Sequence, residues 1–240
     1  MSDSIALDTF LDKWRARWPE WSVADVFVAP GRRALAMAWF ALLQEFEDIL
    51  NVAGDPLPAD AKLAWWSEEL RSWAVQRSRH PLGRLLEPLP APWPQLAEAL
   101  PALAEARARP ADAAAAFAGL HAFGRAVAAV EAAVLGRAPV PEHVVAQILA
   151  ARLAEAGPQA VPAAFAPVEE GADPGAAQRA WARYLQARWP AVQDGARERR
   201  ILSRYARGRL QRYARAGQPA ALPAQPALLL SGWWAARGGE

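Results

Sequence analysis

Residues Arg32 to Asn51 read RRALAMAWFALLQEFEDILN, and no other stretch limits the fold as strongly. Leu35, Met37, Trp39, Phe40, Leu42, Leu43, Phe46, Ile49 and Leu50 cover most of a helical circumference, so this segment is expected to be a helix inside a core. Gln44, Glu47, Asp48 and Asn51 interrupt it at i, i+3, i+4 and i+7, one stripe of a 3.6-residue period. Unpaired carboxylates resist burial in an apolar medium, so the stripe meets water, a partner arginine or a polar cavity. In a cavity, carboxylates at this spacing are suited to holding divalent metal ions. Solvent or an arginine is the plainer expectation.

The remaining chain carries the same helical signature. Alanine dominates, β-branched residues are sparse, and proline and glycine fall between long apolar-periodic runs, which predicts an all-α fold. At 240 residues one domain with a large core is expected. The absence of cysteine excludes disulfides and thiolate chemistry and fits a reducing cytoplasm. No uninterrupted apolar run reaches the ~18 residues of a membrane span, and MSDSIALDTF lacks the basic-then-apolar pattern of a signal peptide.

Helices are expected over residues 4–18, 32–51, 59–77, 95–108, 113–135, 141–156, 175–189 and 194–216, with a short segment, 22–28, leading to the Pro30-Gly31 turn. Their boundaries come from Pro19, Pro30-Gly31, Pro110, Gly136, Gly157-Pro158 and Gly217. Residues 157–174 are expected to be irregular, and the Pro-rich tail from 217 to 240 is expected to dock through its apolar LLLSGWW stretch. Leu63, Trp66, Leu70 and Trp73 are predicted to pack on the central helix, with Trp65 off that line. His80, before Pro81, reads as a loop or capping residue. The net charge of +2 hides an asymmetry: residues 179–215 hold 11 arginines against Asp194 and Glu198. This basic helix is expected to dock by Ile201, Leu202, Tyr205, Leu210 and Tyr213 with solvated arginines outward. An anionic membrane surface is a second possibility for it, and nucleic acid a more remote one.

Between Val26 and Pro81 the order VFVAP, GRRALAMAWFALLQEFEDILN, KLAWWSEEL and His80-Pro81 resembles the squalene/phytoene synthase family, a branch of the all-α isoprenoid synthases. There the corresponding places read as a Leu-Pro turn, a basic pair, Asp-Asp-x-x-Asp after an aromatic helix, Leu-x-Trp-Trp-Arg-x-Glu-Leu, and His-Pro. The resemblance takes the chain as a single domain over 1–240, best matched over residues 1–86 and divergent over 87–216, with 217–240 as a Pro-rich tail. It implies a single helical bundle around a central apolar cavity, with Phe40, Trp65 and Trp66 as candidate lining. It also implies Mg²⁺-dependent joining of two prenyl diphosphates head to head. Carried over by position, Glu47, Asp48 and Asn51 stand at the first metal motif, and Arg32, Arg33 and Gln44 at diphosphate-facing places.

The departures weaken that chemistry. Asn51 offers a neutral oxygen, Gln44 stands where the family has a phosphate-pairing Arg, and Ser67 replaces another Arg. The family's second Asp-rich helix is best matched by Gln147 to Glu155, which puts Ala150 and Ala151 at its Arg and first Asp and leaves only Glu155. No Asp-x-x-x-Asp pair follows residue 100, and the chain is shorter than typical active members. The expected function is therefore a prenyl- or lipid-binding or assembly-type protein, as in the family's non-catalytic relative that assembles respiratory complex I, with no cofactor. The alternative is an active prenyl-diphosphate transferase using Mg²⁺ at Glu47, Asp48, Asn51 and Glu155. The implied partners are a prenyl diphosphate or lipid, a protein, and a membrane reached through the Arg197–Arg215 helix of a cytoplasmic, membrane-peripheral protein.

Overall fold

Twelve α-helices and three short 3-10 turns make up the computed structural model, which describes residues 2–166, 173, 175–189 and 195–238; among these there is no strand. In chain order they are α1 (Ser2–Arg17), α2 (Trp21–Ala24), α3 (Pro30–Leu50), α4 (Leu57–Trp73), α5 (Gly83–Leu86), α6 (Trp93–Ala99), α7 (Pro101–Glu105), α8 (Ala113–Leu135), α9 (Pro141–Ala156), α10 (Ala176–Arg188), α11 (Arg197–Ala216) and α12 (Gln225–Arg237).

The central helix is α3. Pro30 sits in its first turn, where the missing N–H removes no intrahelical bond. Its residues Ala36 to Leu42 are all buried, and α1, α4, α5, α7, α8 and α9 pack around it. Aromatic rings fill the space between these helices: Phe46 meets Trp66 and Phe123 edge-to-face, and Trp73 bridges Trp66 to Trp93. Phe40 stacks on Trp14 and abuts Trp21.

Local signals set most boundaries. Asp112 caps α8 by accepting from the Ala115 N–H at 2.8 Å, and Gly136 ends it at φ 84°. Gly124 lets α8 approach α9 closely: a Cβ there would lie 2.7 Å from Val145 Cγ2 and 3.0 Å from the Pro141 carbonyl oxygen.

The structure corrects four expectations. The helix predicted over 95–108 is split into α6 and α7, because Pro101 has no N–H to continue the ladder. The α4 helix stops at Trp73 rather than Arg77, and Gln76 takes φ 55°. The tail is not only a Pro-rich strap, since Gln225–Arg237 is a helix opened by Pro226. And α8 is long and apolar enough to cross a membrane, because His121, Arg125 and Glu131 break the apolar run without lowering its mean hydropathy enough. Half of its most apolar window is buried here, against α9, α6, α7 and α3. Residues 167–172 and 174 of the segment expected to be irregular at 157–174, and residue 194 of the predicted 194–216 helix, lie outside the described residues; residues 157–160 and 163–165 form 3-10 turns, and α11 begins at Arg197.

Helix α11 departs most from its expected role. It is covered by α10, α9 and α12, and its arginines are not uniformly solvated. Arg199 and Arg200 are buried, at 3% and 6% exposure. Arg199 Nε donates to both carboxylate oxygens of Glu131 at 2.8 and 3.0 Å, and its Nη1 to Gln147 Oε1 at 3.2 Å. Trp39 Nε1 completes the set by donating to Glu131 at 2.9 Å. Arg200 donates to the Gly195, Ala235 and Ala236 carbonyls and so closes the C-terminal end of α12. These are buried charges kept by full pairing.

Candidate functional site

A cavity of about 210 Å³ lies between α3, α9 and α11, with the end of α1 and the strap before α12 at its mouth. The α3 wall contributes Gln44 and Glu47, and the α9 wall contributes Gln147, Ala151 and Glu155. Arg209, Arg212 and Tyr213 enter from α11. Trp18, Leu210 and the alanines of α9 make much of the remaining surface apolar.

Glu47 is the unusual member. Its carboxyl takes no hydrogen bond or ion pair among the described residues, and its pKa is raised to about 7. Burial is the largest cause; the nearby Asp48 and Glu155 carboxylates add to it, while Arg199 and Arg17 oppose it. A carboxyl with that pKa exchanges a proton near neutrality, in contrast to a salt-bridged surface carboxylate.

The other acidic positions are engaged. Glu155 pairs with Arg17 at 2.5 Å. Asp48 is aimed at α1, where Lys13 Nζ lies 3.4 Å away, and it accepts from Gln44 Nε2 at 2.9 Å. Asn51 is the C-cap of α3, and its side-chain oxygen accepts from Arg152 Nη1 at 3.4 Å. Arg152 also donates to the Leu50 carbonyl at 3.1 Å, and Arg107 Nε to that of Ile49 at 3.2 Å, so two arginines close the end of α3. The stripe read from the sequence is thus divided among three neighbours. Its first two members, Gln44 and Glu47, face the cavity; the last two do not.

The remaining candidates lie elsewhere. Arg32 Nε donates to Glu198 and its Nη2 to the Leu135 carbonyl, both at 2.8 Å, tying α3 to α8 and α11. Arg33 Nε donates to the Val28 carbonyl at 3.0 Å. Both sit at the N-terminal end of α3, roughly 20 Å of helix rise from Glu47. Phe40, Trp65 and Trp66 do not line this cavity. Phe40 lies beneath the Arg199 guanidinium at 5.2 Å, Trp66 is core, and Trp65 packs edge-on against both Trp66 and His80 under Arg79. His80 is a structural residue: its backbone N–H and that of Arg79 both donate to the buried Glu69, and its Nδ1 accepts from Leu82 N–H.

Against protein-family models, curated proteins and solved structures, the chain gives no match. The site therefore stands on its own geometry.

Arg209 and Arg212 were not singled out by sequence reasoning. Arg209 grips Glu20 at 2.8 and 2.6 Å and lies 4.0 Å over the Trp18 ring. Arg212 keeps a buried Nε without a hydrogen-bond partner among the described residues, and burial lowers its pKa. The signal available was Tyr213 on the apolar side of α11; a neighbouring guanidinium at i−1 is brought to the same wall only by the way α11 docks.

A divalent ion needs several oxygen donors converging at about 2.0–2.6 Å. Among the described residues no three His, Cys, Asp or Glu side chains gather in that way. The cavity instead combines a protonatable carboxyl, two amides and cationic groups with an apolar wall.

Proposed function

We propose that the protein is a squalene/phytoene synthase-like binding protein that no longer carries out Mg²⁺-dependent head-to-head condensation. It holds one apolar chain with a polar head, a prenyl compound or lipid, in the cavity between α3, α9 and α11, and serves an assembly-type role at or near a membrane from the cytoplasm. The isoprenoid-synthase-like arrangement of the bundle belongs to this proposal. It is supported by the two segments that resemble the family's acidic motifs, which face one another across this cavity through Glu47 and Glu155.

One observation carries the reading: of the four metal positions, only Glu47 is free. Asp48, Asn51 and Glu155 are held by Lys13, Arg152 and Arg17. Stabilising a departing diphosphate calls for carboxylate-held cations or preorganised donors at the reacting bond. A volume of about 210 Å³ also lies under the roughly 300–1,000 Å³ of ordinary ligand pockets, and two prenyl diphosphates would need more still.

The test is incubation of the purified protein with Mg²⁺ and farnesyl or geranylgeranyl diphosphate, followed by analysis for diphosphate release and C30 or C40 products. No product is expected. Calorimetry should instead detect binding of a single-chain prenyl ligand, lost in Ala151→Trp, which fills the cavity. Turnover that disappears in Glu47→Gln would establish the competing reading, an active prenyl-diphosphate transferase. That reading draws on Glu47 and Glu155 lining one cavity.

A further inference from the structure

Helix α12 is packed the opposite way round from an ordinary surface helix. Its docked face is small: Leu228, Gly232, Ala235 and Ala236 are buried against α11 and α2. Gly232 fixes that orientation, because a Cβ there would fall 2.6 Å from Tyr205 Oη and 3.3 Å from the Phe27 ring. Tyr205 Oη in turn donates to the Leu228 carbonyl at 3.0 Å. The large side chains are therefore turned outward, with Leu229 at 42%, Leu230 at 59%, Trp233 at 37% and Trp234 at 64% exposure. At 100° per residue these four share one arc with Pro226 and Ala227, and the arc's single charge is Arg237. Soluble surfaces rarely leave such a contiguous apolar patch uncovered.

The charges around the arc say what covers it. No charged residue occurs from Ala216 to Ala236, and the run is bounded by Arg215 and Arg237. Arg237 lies 4.4 Å over the Trp233 ring. Beside the arc an open groove between α11 and α12 is lined by Arg204, Arg212, Arg215, Ala227 and Ser231. Its one carboxylate, Glu20, is 1% exposed and already held by Arg209. Among the described residues, Asp25, on the turn against α12, is a further acidic neighbour; the adjacent Val26 is 59% exposed. Tryptophan and leucine beside unopposed arginines match the boundary between acyl chains and anionic headgroups.

We propose that the outer arc of α12 is a membrane-docking surface that inserts Leu229, Leu230, Trp233 and Trp234 into the interface of an anionic phospholipid bilayer. Arg204, Arg215 and Arg237 meet the headgroup phosphates. The surface differs from the membrane contact read from the basic sequence, since α12 supplies the insertion and α11 supplies charges beside Arg237 of α12. It is also independent of what the cavity binds, although the strap residues Pro219, Ala220 and Leu222 run from the cavity mouth into α12.

The full chain would be mixed with vesicles of phosphatidylcholine, with and without about one-third phosphatidylglycerol, and sedimented at low and high salt. Binding to the anionic vesicles, weakened by salt, is expected. It should fall at least ~10-fold in Leu230→Glu/Trp234→Glu, because charge at the acyl boundary is strongly disfavoured. Both side chains are exposed, so the variant's melting temperature should match that of the parent. In the unaltered protein, brominated phosphatidylcholine in the anionic vesicles should quench tryptophan fluorescence, a readout that needs no variant. Equal binding by the variant, or no uptake and no quenching by the parent, overturns the proposal. So does a dimer that Trp234→Glu dissociates, since a second copy would then be the occupant.

Discussion

Replacing Glu47 with glutamine should make the protein more stable, and only above the acid range. The folded chain holds the Glu47 proton up to about pH 7, whereas an ordinary glutamate releases it near 4.5. Between those values the folded state binds more protons than the unfolded one, so this group's contribution falls as pH rises from 4.5 through 7. At 1.36 kcal/mol per pH unit the interval is worth about 3 kcal/mol at most, and the partial solvent exposure of Glu47 reduces it. Glutamine keeps similar volume and stays neutral. For a chain of this length the gain corresponds to roughly 6–12 °C in melting temperature at the upper limit. Thermal melts of both proteins at pH 5 and pH 8, at constant ionic strength, should show curves nearly together at pH 5 and the variant higher at pH 8. A variant equal to or below the parent at pH 8, or an offset unchanged between the two pH values, refutes the assignment of an unpaired carboxyl.

Three further outcomes test the packing. Arg199→Met leaves the Glu131 carboxylate buried without its cation and should lower stability in urea unfolding by about 3–5 kcal/mol, whereas Glu131→Leu/Arg199→Met should recover at least about half of that. His80 behaves oppositely to Glu47: burial lowers its pKa to about 4, so its contribution is lost as pH falls from 6.5 towards 4. His80→Phe should flatten that acid limb, read from urea midpoints at pH 7 and 4.5. On α8, Gly124→Leu should cost about 1–3 kcal/mol by forcing α9 away. Gly119→Ala, where a Cβ meets nothing within 4 Å, should instead add about 0.5–1 kcal/mol.

Much of the helical layout was legible in the sequence because its causes are local. The start of α8 at Ala113 and its αL stop at Gly136 depend on residues within one turn and appear as read, whereas α3 takes in Pro30 and Gly31, which were read as the turn before it. The failures at Pro101 and Gln76 were also local, but they came from a proline taken as helical and a boundary set too late. The site was half legible. Gln44, Glu47 and Glu155 were named and share one cavity, while Arg32 and Arg33 were placed at it by resemblance and belong to the far end of α3.

The sequence by itself determined that this chain is all-α, roughly where most of its long helices lie, and that α3 carries a polar stripe through a hydrophobic core. Which member of that stripe is left without a partner could not come from period or composition. Lys13, Arg17 and Arg152 reach Asp48, Glu155 and Asn51 from distant parts of the chain, and only the docking of α1 and α9 brings them there. The same holds for the arginines of α11. Their number was plain in the sequence, but a guanidinium is buried or solvated according to which helix lies over it. Here α8 supplies a carboxylate to Arg199 and α12 supplies its terminal carbonyls to Arg200. Backbone geometry is set within a few residues; side-chain partnership is set by contacts far apart in sequence, and the unpaired state of Glu47 depends on the second.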